Sequence, residues 1–261
     1  MASLALSHYQ ITVNPSLPAL PLFTLAGLVF ANTQAAQRLS QLFSSLFGSG
    51  QMGSVLAVAC LCSCFTALTG GSGVTILALG GLMLPLLLKV GYPESKSIGL
   101  ITSASSLGVL LAPSVPLIMY AIMARVPINT MFVAGLIPAA LMVVSLLIFG
   151  GFLRTTQTSN QAAKFKVFDP TPSENAVPLK TAIWAAKWEL VAPLIAIGTL
   201  ISGIATPTEG AAITVAYALI TQGFIHRELK YDTLVHCLYQ SAQIIGGILL
   251  IMGMALGLTN Y

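Results

Sequence analysis

The stretch Thr66-Ala67-Leu68-Thr69-Gly70-Gly71-Ser72-Gly73-Val74-Thr75-Ile76-Leu77-Ala78-Leu79-Gly80-Gly81 lies inside a longer segment, Leu39 to Leu88, that carries no charged side chain. A segment of that length suits two passages across a bilayer or one helical hairpin that enters and returns, since about 20 apolar residues fill one span. Gly70, Gly71 and Gly73 weaken a helix by roughly 1 kcal/mol each and free backbone carbonyls that lipid cannot satisfy. Two readings stay open at this point. In one, a broken helix turns its carbonyls and the hydroxyls of Thr69, Ser72 and Thr75 toward a cation, while the next half-helix offers its amides to an anion. In the other, the small residues form a seam for close helix packing.

The rest of the chain supports a lipid solvent. Of 261 residues 56% are hydrophobic and 7% charged, against about 25% charged in an ordinary soluble domain. The mean hydropathy is +0.90, which excludes a soluble enzyme and predicts an all-α polytopic membrane protein. The net charge of +4 does not indicate nucleic acid, because the basic residues are scattered between apolar runs and form no stripe with interleaved aromatics. Cys60, Cys62 and Cys64 alternate in an uncharged segment and read as small packable side chains, since zinc requires deprotonated ligands and a polar surround. Residues 1–17 show no signal-peptide pattern.

Before the central stretch come an apolar run, Pro15 to Ala31, and an amphipathic segment, Asn32 to Phe47, suited to lying at the interface with Arg38 as its one charge. After it, Ile98 to Met123 is interrupted by Gly108, Pro113 and Pro116, and Met131 to Leu153 is a standard span. Residues 154–187 form the long polar linker, and the runs Leu190 to Ile204, Ala211 to Ile225 and Ile244 to Leu258 follow. This divides the chain into an N-terminal membrane region (1–153), a linker (154–187) and the start of a second membrane repeat (188–261). With the hairpin returning to its side of entry, Arg125 falls on one face and the ten other basic residues on the opposite one. The positive-inside rule makes the richer face, including the linker, cytoplasmic and both chain ends external.

Two further stretches carry possible chemistry. In Ser103-Ala104-Ser105-Ser106-Leu107-Gly108 followed by Ala112-Pro113-Ser114-Val115-Pro116, two prolines three apart remove two backbone donors and prevent a regular helix. A discontinuous helix flanked by hydroxyls offers the oxygen ligands that a hard cation such as sodium takes, and this binding reading is favoured over the alternative of a structural kink. In Thr206-Pro207-Thr208-Glu209, proline at a first helical position and an acid in the first turn describe a helix start with Thr206 as cap. Glu209 is read as the one acid in an apolar environment, with the cap favoured over ion coupling. Enzyme readings find no support: His8, His226 and His236 fall in polar or interfacial segments, no histidine spacing suits a zinc protease, and no intramembrane base stands by for Ser72. No phosphate-binding G-x-x-x-x-G-K-[ST] loop occurs either.

Taken together, LPLFTLAGLVF, FTALTGGSGVTILALGG, GYPESKSIGLITSASSLGVLLAPSVPLIMY, FVAGLIPAALM, ISGIATPTEGAAITVAYAL and IHREL, in this order, resemble the large membrane subunit of tripartite ATP-independent periplasmic (TRAP) transporters. The resemblance covers nearly all of the chain after about Leu17. It implies about six transmembrane helices plus a re-entrant hairpin and a proline-broken helix, one half of an inverted repeat. It also implies that Thr69, Gly70, Ser72, Gly73 and Thr75 sit at the hairpin tip. Ser105, Ser106, Gly108, Pro113 and Ser114 would line the broken helix opposite, the two elements making half of a sodium and substrate site. The motif Thr206, Pro207 and Glu209 would open a scaffold helix. The implied activity is sodium-coupled import of a small organic acid, such as a C4-dicarboxylate, across the bacterial inner membrane. A small membrane subunit and a periplasmic substrate-binding protein are the implied partners, and sodium rather than a cofactor is the implied ion. The chain departs from the family in Ala112-Pro113, where Pro-Pro is common, and in Gly210, where alanine is common. No second hairpin or second proline-broken helix is found, so the expectation is a partial chain; a non-transporting scaffold or inactive remnant is the alternative.

Overall fold

The computed structural model describes Tyr9 and residues 13–48, 51–149, 179–201 and 205–259. The architecture is all-α. Its helices are α1 (Ala19–Ala31), α2 (Ala35–Phe47), α3 (Gln51–Thr69), α4 (Ser72–Lys89), α5 (Glu94–Leu107), α6 (Val115–Ala124), α7 (Ile128–Phe149), α8 (Leu179–Ile201), α9 (Pro207–Ile220) and α10 (Tyr231–Thr259). A 3₁₀ turn, Gly108–Leu110, follows α5, and a π turn, Thr221–Ile225, prolongs α9. Six helical stretches among the described residues are long and apolar enough to cross a bilayer, or seven if the bent pair α1 and α2 counts as one.

Helix α1 is buried nearly all round, as expected of a helix apolar on every face. It packs against α3, α9 and α10, so the C-terminal helices close around the N-terminal one. At Gly27 the contact is with backbone: a methyl there would come 2.6 Å from Thr69 Cα. Asn32 ends α1 by turning both its N–H and its side-chain amide onto the Leu28 carbonyl, each at 2.9 Å. The axis then bends by 74° into α2. Helix α2 buries Ala35, Ala36, Leu39, Ser40 and Leu42 between α3 on one side and α8 on the other. The amphipathic segment therefore uses its apolar face as a wedge between helices and does not rest on the interface alone.

The central stretch folds as a hairpin whose arms are α3, 19 residues, and α4, 18 residues, broken at Gly70 and Gly71. The next segment is broken as expected, with α5 running into the 3₁₀ turn and Leu111 and Ser114 extended on either side of a cis Ala112–Pro113 bond. Helix α5 packs on both arms of the hairpin. Where sequence reading has a polar linker to residue 187, α8 begins at Leu179, and Lys187 lays its ammonium 3.6 Å from the centre of the Trp184 ring. Such a cation–π contact lets a lysine sit on a largely apolar helix rather than in a loop. The remainder of the linker, 154–178, lies outside the described residues.

Candidate functional site

The two chain breaks meet. Gly70 has φ +72, a left-handed conformation natural to glycine, and a methyl on it would come 2.6 Å from Val115 Cβ, the first residue of α6. The tip of the hairpin therefore rests against the restart of the broken helix. The Gly70 N–H still closes on the Thr66 carbonyl at 2.8 Å, but its left-handed φ and the extended Gly71 end helix α3, and α4 restarts at Ser72.

Around the tip three threonine hydroxyls form one cluster. Thr66 Oγ1 donates to Thr75 Oγ1 at 2.9 Å, Thr69 and Thr75 share a hydrogen bond of 3.1 Å, and both Thr69 and Thr75 reach the Gly71 carbonyl at 3.4 Å. All three are buried. Across the gap Ser114 is buried at the start of α6 with no hydrogen-bond partner for its hydroxyl. Ser105 is also buried, its hydroxyl beside the Cys62 thiol of α3. Gly108 marks a second close approach: a methyl there would overlap the Ser63 carbonyl oxygen and come 2.5 Å from Thr66 Cβ. Ser63 reinforces it by donating to the Ala104 carbonyl at 3.0 Å. The chemistry on offer is neutral oxygen, suited to a hard cation with few charges of its own.

Not every residue expected here arrives. Ser106 is exposed and donates its hydroxyl to the Thr102 carbonyl on its own helix, because adjacent residues on a helix point about 100° apart. Gly73 is exposed with open space around it, and Ser72 is half-buried at the first turn of α4. Pro113 is buried in the break itself. Thr66, overlooked as a site residue, is identifiable from sequence only by its position one turn before Thr69. An apolar cavity of about 320 Å³ lies nearby, lined by Cys64, Leu107, Pro113, Phe132 and Pro193 among others. Its walls are ill-suited to an organic anion, which needs polar partners when it leaves water.

At the start of α9, Thr206 Oγ1 accepts from the Glu209 N–H at 3.3 Å while the Glu209 carboxylate accepts from the Thr206 N–H at 2.8 Å. This is a reciprocal capping box with Pro207 at the first helical position. The cap lowers the carboxyl below its usual range, the Thr206 N–H contributing most. Glu209 is exposed, which corrects its reading as an acid in an apolar environment. Among the described residues the buried acid is Glu189 of α8, 2% exposed.

Glu189 belongs to a network that sequence reasoning did not assemble. Arg38 of α2, read there as a topology signal, donates Nε to Glu189 Oε1 at 2.7 Å and Nη1 to Glu228 Oε1 at 2.6 Å. Glu228 also accepts the Gln34 N–H at 3.0 Å. Burial disfavours its charged form, yet the hydrogen bonds from Arg38 and Gln34 and the nearby Arg38 and His226 prevail and hold its carboxyl below the usual range. Gln222, in the π turn, donates to Glu189 at 3.4 Å and accepts from Arg38 at 3.3 Å.

A family profile described as "Tripartite ATP-independent periplasmic transporter, DctM component" matches residues 5–259. The chain belongs to the DctM family. Curated relatives include the isethionate TRAP transporter permease protein DctMQ of Oleidesulfovibrio alaskensis, 30% identical over 91% of this chain and 36% of its own length. The C4-dicarboxylate large permease DctM of Rhodobacter capsulatus is 30% identical over 86% of this chain and 52% of its own. The ectoine large permease TeaC of Halomonas elongata is 30% identical over 91% and 53%. This DctM chain thus spans about half, or less, of the curated relatives it matches.

Proposed function

We propose that this DctM chain carries one half of the translocation site of a TRAP large permease, a multi-pass protein of the bacterial inner membrane. On this reading a small organic acid moves inward with sodium, and a small membrane subunit and a periplasmic binding protein complete the system. The observation that carries the reading is the contact of Gly70 with Val115, which faces two interrupted helices toward each other across buried hydroxyls. A pair of plain packing helices needs neither interruption, and the unpartnered Ser114 hydroxyl is free to serve a cation. The relatives are named for isethionate, a C4-dicarboxylate and ectoine. An acidic oxygen group is what these have in common, and a helix N-terminus such as that of α4 or α6 receives such a group.

The test is uptake of labelled organic acids by proteoliposomes holding the permease that contains this chain, its small subunit and its binding protein. Replacing external sodium with choline is expected to stop uptake, and Ser114→Ala to raise the sodium concentration for half-maximal rate. Uptake indifferent to sodium overturns the coupling. Absence of uptake with every partner present favours a non-transporting scaffold.

A further inference from the structure

We propose that Glu189 and His226 form a proton-binding site whose loading completes the ion-pair network fastening α2 to α8 and α9. The charge count is the first reason. Arg38 supplies one positive charge against the two carboxylates of Glu189 and Glu228, all three at least partly buried. An uncompensated charge in such surroundings is costly, and an imidazolium at His226 balances it. The second reason is geometry. His226 Nε2 lies 3.3 Å from Glu189 Oε1, yet both Nε2 and Glu189 Oε2 are buried without a hydrogen-bond partner. The imidazole lies within reach of a carboxylate that still has one oxygen unpartnered, which defines a place for one proton and a small closing movement.

The backbone is shaped to bring them together. A π turn at Thr221–Ile225 ends with the His226 N–H on the Thr221 carbonyl at 2.9 Å. Arg227 then adopts φ 53, and the Glu228 N–H returns to the Gln222 carbonyl at 2.9 Å. Both a π turn and a left-handed non-glycine residue are uncommon and concentrate at functional positions. The groups that face the pair are Arg38 from α2, Gln222 from the π turn, Glu228 from the following loop and Tyr217 from α9, whose hydroxyl is engaged with the Trp188 carbonyl at 2.9 Å. Arg227 and Lys230 are exposed and line the neighbouring cavity with Glu228, while α4 contributes only Ala78, Gly81, Leu82 and Pro85 to it. Lys187 is held over Trp184 and Trp188.

Helix α2 touches the hairpin through α3 and the C-terminal helices through α8, so its fastening sets how firmly the two groups of helices are joined. A proton held between His226 and the Glu189 carboxylate belongs to the fastened arrangement, so the joint loosens when that proton is lost. The experiment is thermal unfolding of the permease containing this chain, in detergent, from about pH 5.5 to 8.5, with hydrogen exchange of α2 amides corrected for intrinsic rates. The wild type is expected to lose about 2–4 °C in Tm across the interval relative to His226→Gln, with faster α2 exchange at the alkaline end. Glu189→Gln removes the excess negative charge and is expected to flatten the profile while keeping its Tm at the alkaline end. Identical pH profiles for wild type and His226→Gln overturn the proposal, even if the variant is uniformly less stable. Because the readout is stability, sodium-independent uptake leaves this result intact.

Discussion

Replacing Gly108 with alanine asks whether the broken helix is seated on α3 as tightly as the structure requires. Gly108 has φ −61 and ψ −21, an ordinary right-handed conformation, so alanine meets no backbone strain and even gains about 0.5–1 kcal/mol in conformational terms. Space is the obstacle. The new methyl would overlap the Ser63 carbonyl oxygen and stand 2.5 Å from Thr66 Cβ, where ordinary contact begins at 3.4 Å. The 3₁₀ turn and α3 must separate by about 1 Å, an overpacking strain worth about 1–3 kcal/mol. The net expectation is a loss of about 1–2 kcal/mol, with Tm lower by about 2–4 °C for each kcal/mol in a chain of this size. The separation also moves Thr66 away from Thr75, so the hydroxyl cluster loosens and uptake falls more than stability does. Gly99, in the preceding helix α5 with open space where a Cβ would stand, supplies the control: Gly99→Ala is expected to be neutral or stabilising. Gly108→Ala as stable as Gly99→Ala refutes the close seating, and with it the geometry of the site.

Gly70→Ala combines a left-handed φ with overlap of Val115, and is expected to lower Tm by more than Gly108→Ala and to abolish uptake in the proteoliposome assay. Arg38→Met leaves the buried Glu189 carboxylate without its partner, with an expected loss of about 3–5 kcal/mol in denaturant unfolding, while Arg38→Met with Glu189→Met regains most of it. Thr206→Ala removes the α9 cap at about 1 kcal/mol, measurable as Tm. The Glu209 carboxyl is lowered by that cap, so its contribution is present above the ordinary glutamate range and disappears as pH falls through the lowered value; Glu209→Gln is expected to flatten this acid limb of the stability profile.

Both interruptions were legible because glycine and proline act locally: Gly70 and Gly71 end α3 wherever they stand, and Pro113 and Pro116 admit no continuous helix. The capping box was equally plain, since Thr206 and Glu209 are three residues apart and need nothing else. The two serines show where local reading goes astray. Ser105 and Ser106 both follow from composition, but helical periodicity permits only one of them to face α3. The start of α8 was displaced because Lys180 and Lys187 resemble a loop to hydropathy, whereas tryptophan rings shelter the second of them. The Arg38 network was out of reach for a different reason. Its members are separated by 151 and 190 residues along the chain, and a single sequence holds no record of which distant charges meet.

The seating of Thr69 on Gly27 gives α1 a role that its own chemistry does not suggest. The hairpin tip is indexed from that notch: the last residue of α3 rests there, the next is Gly70, and Gly70 in turn bears on Val115. The gap between the breaks is therefore gauged against a datum on a different helix. Residue 27 brings no polar side chain, yet the width of that gap is machined from it, and a single added methyl would shift the whole reference.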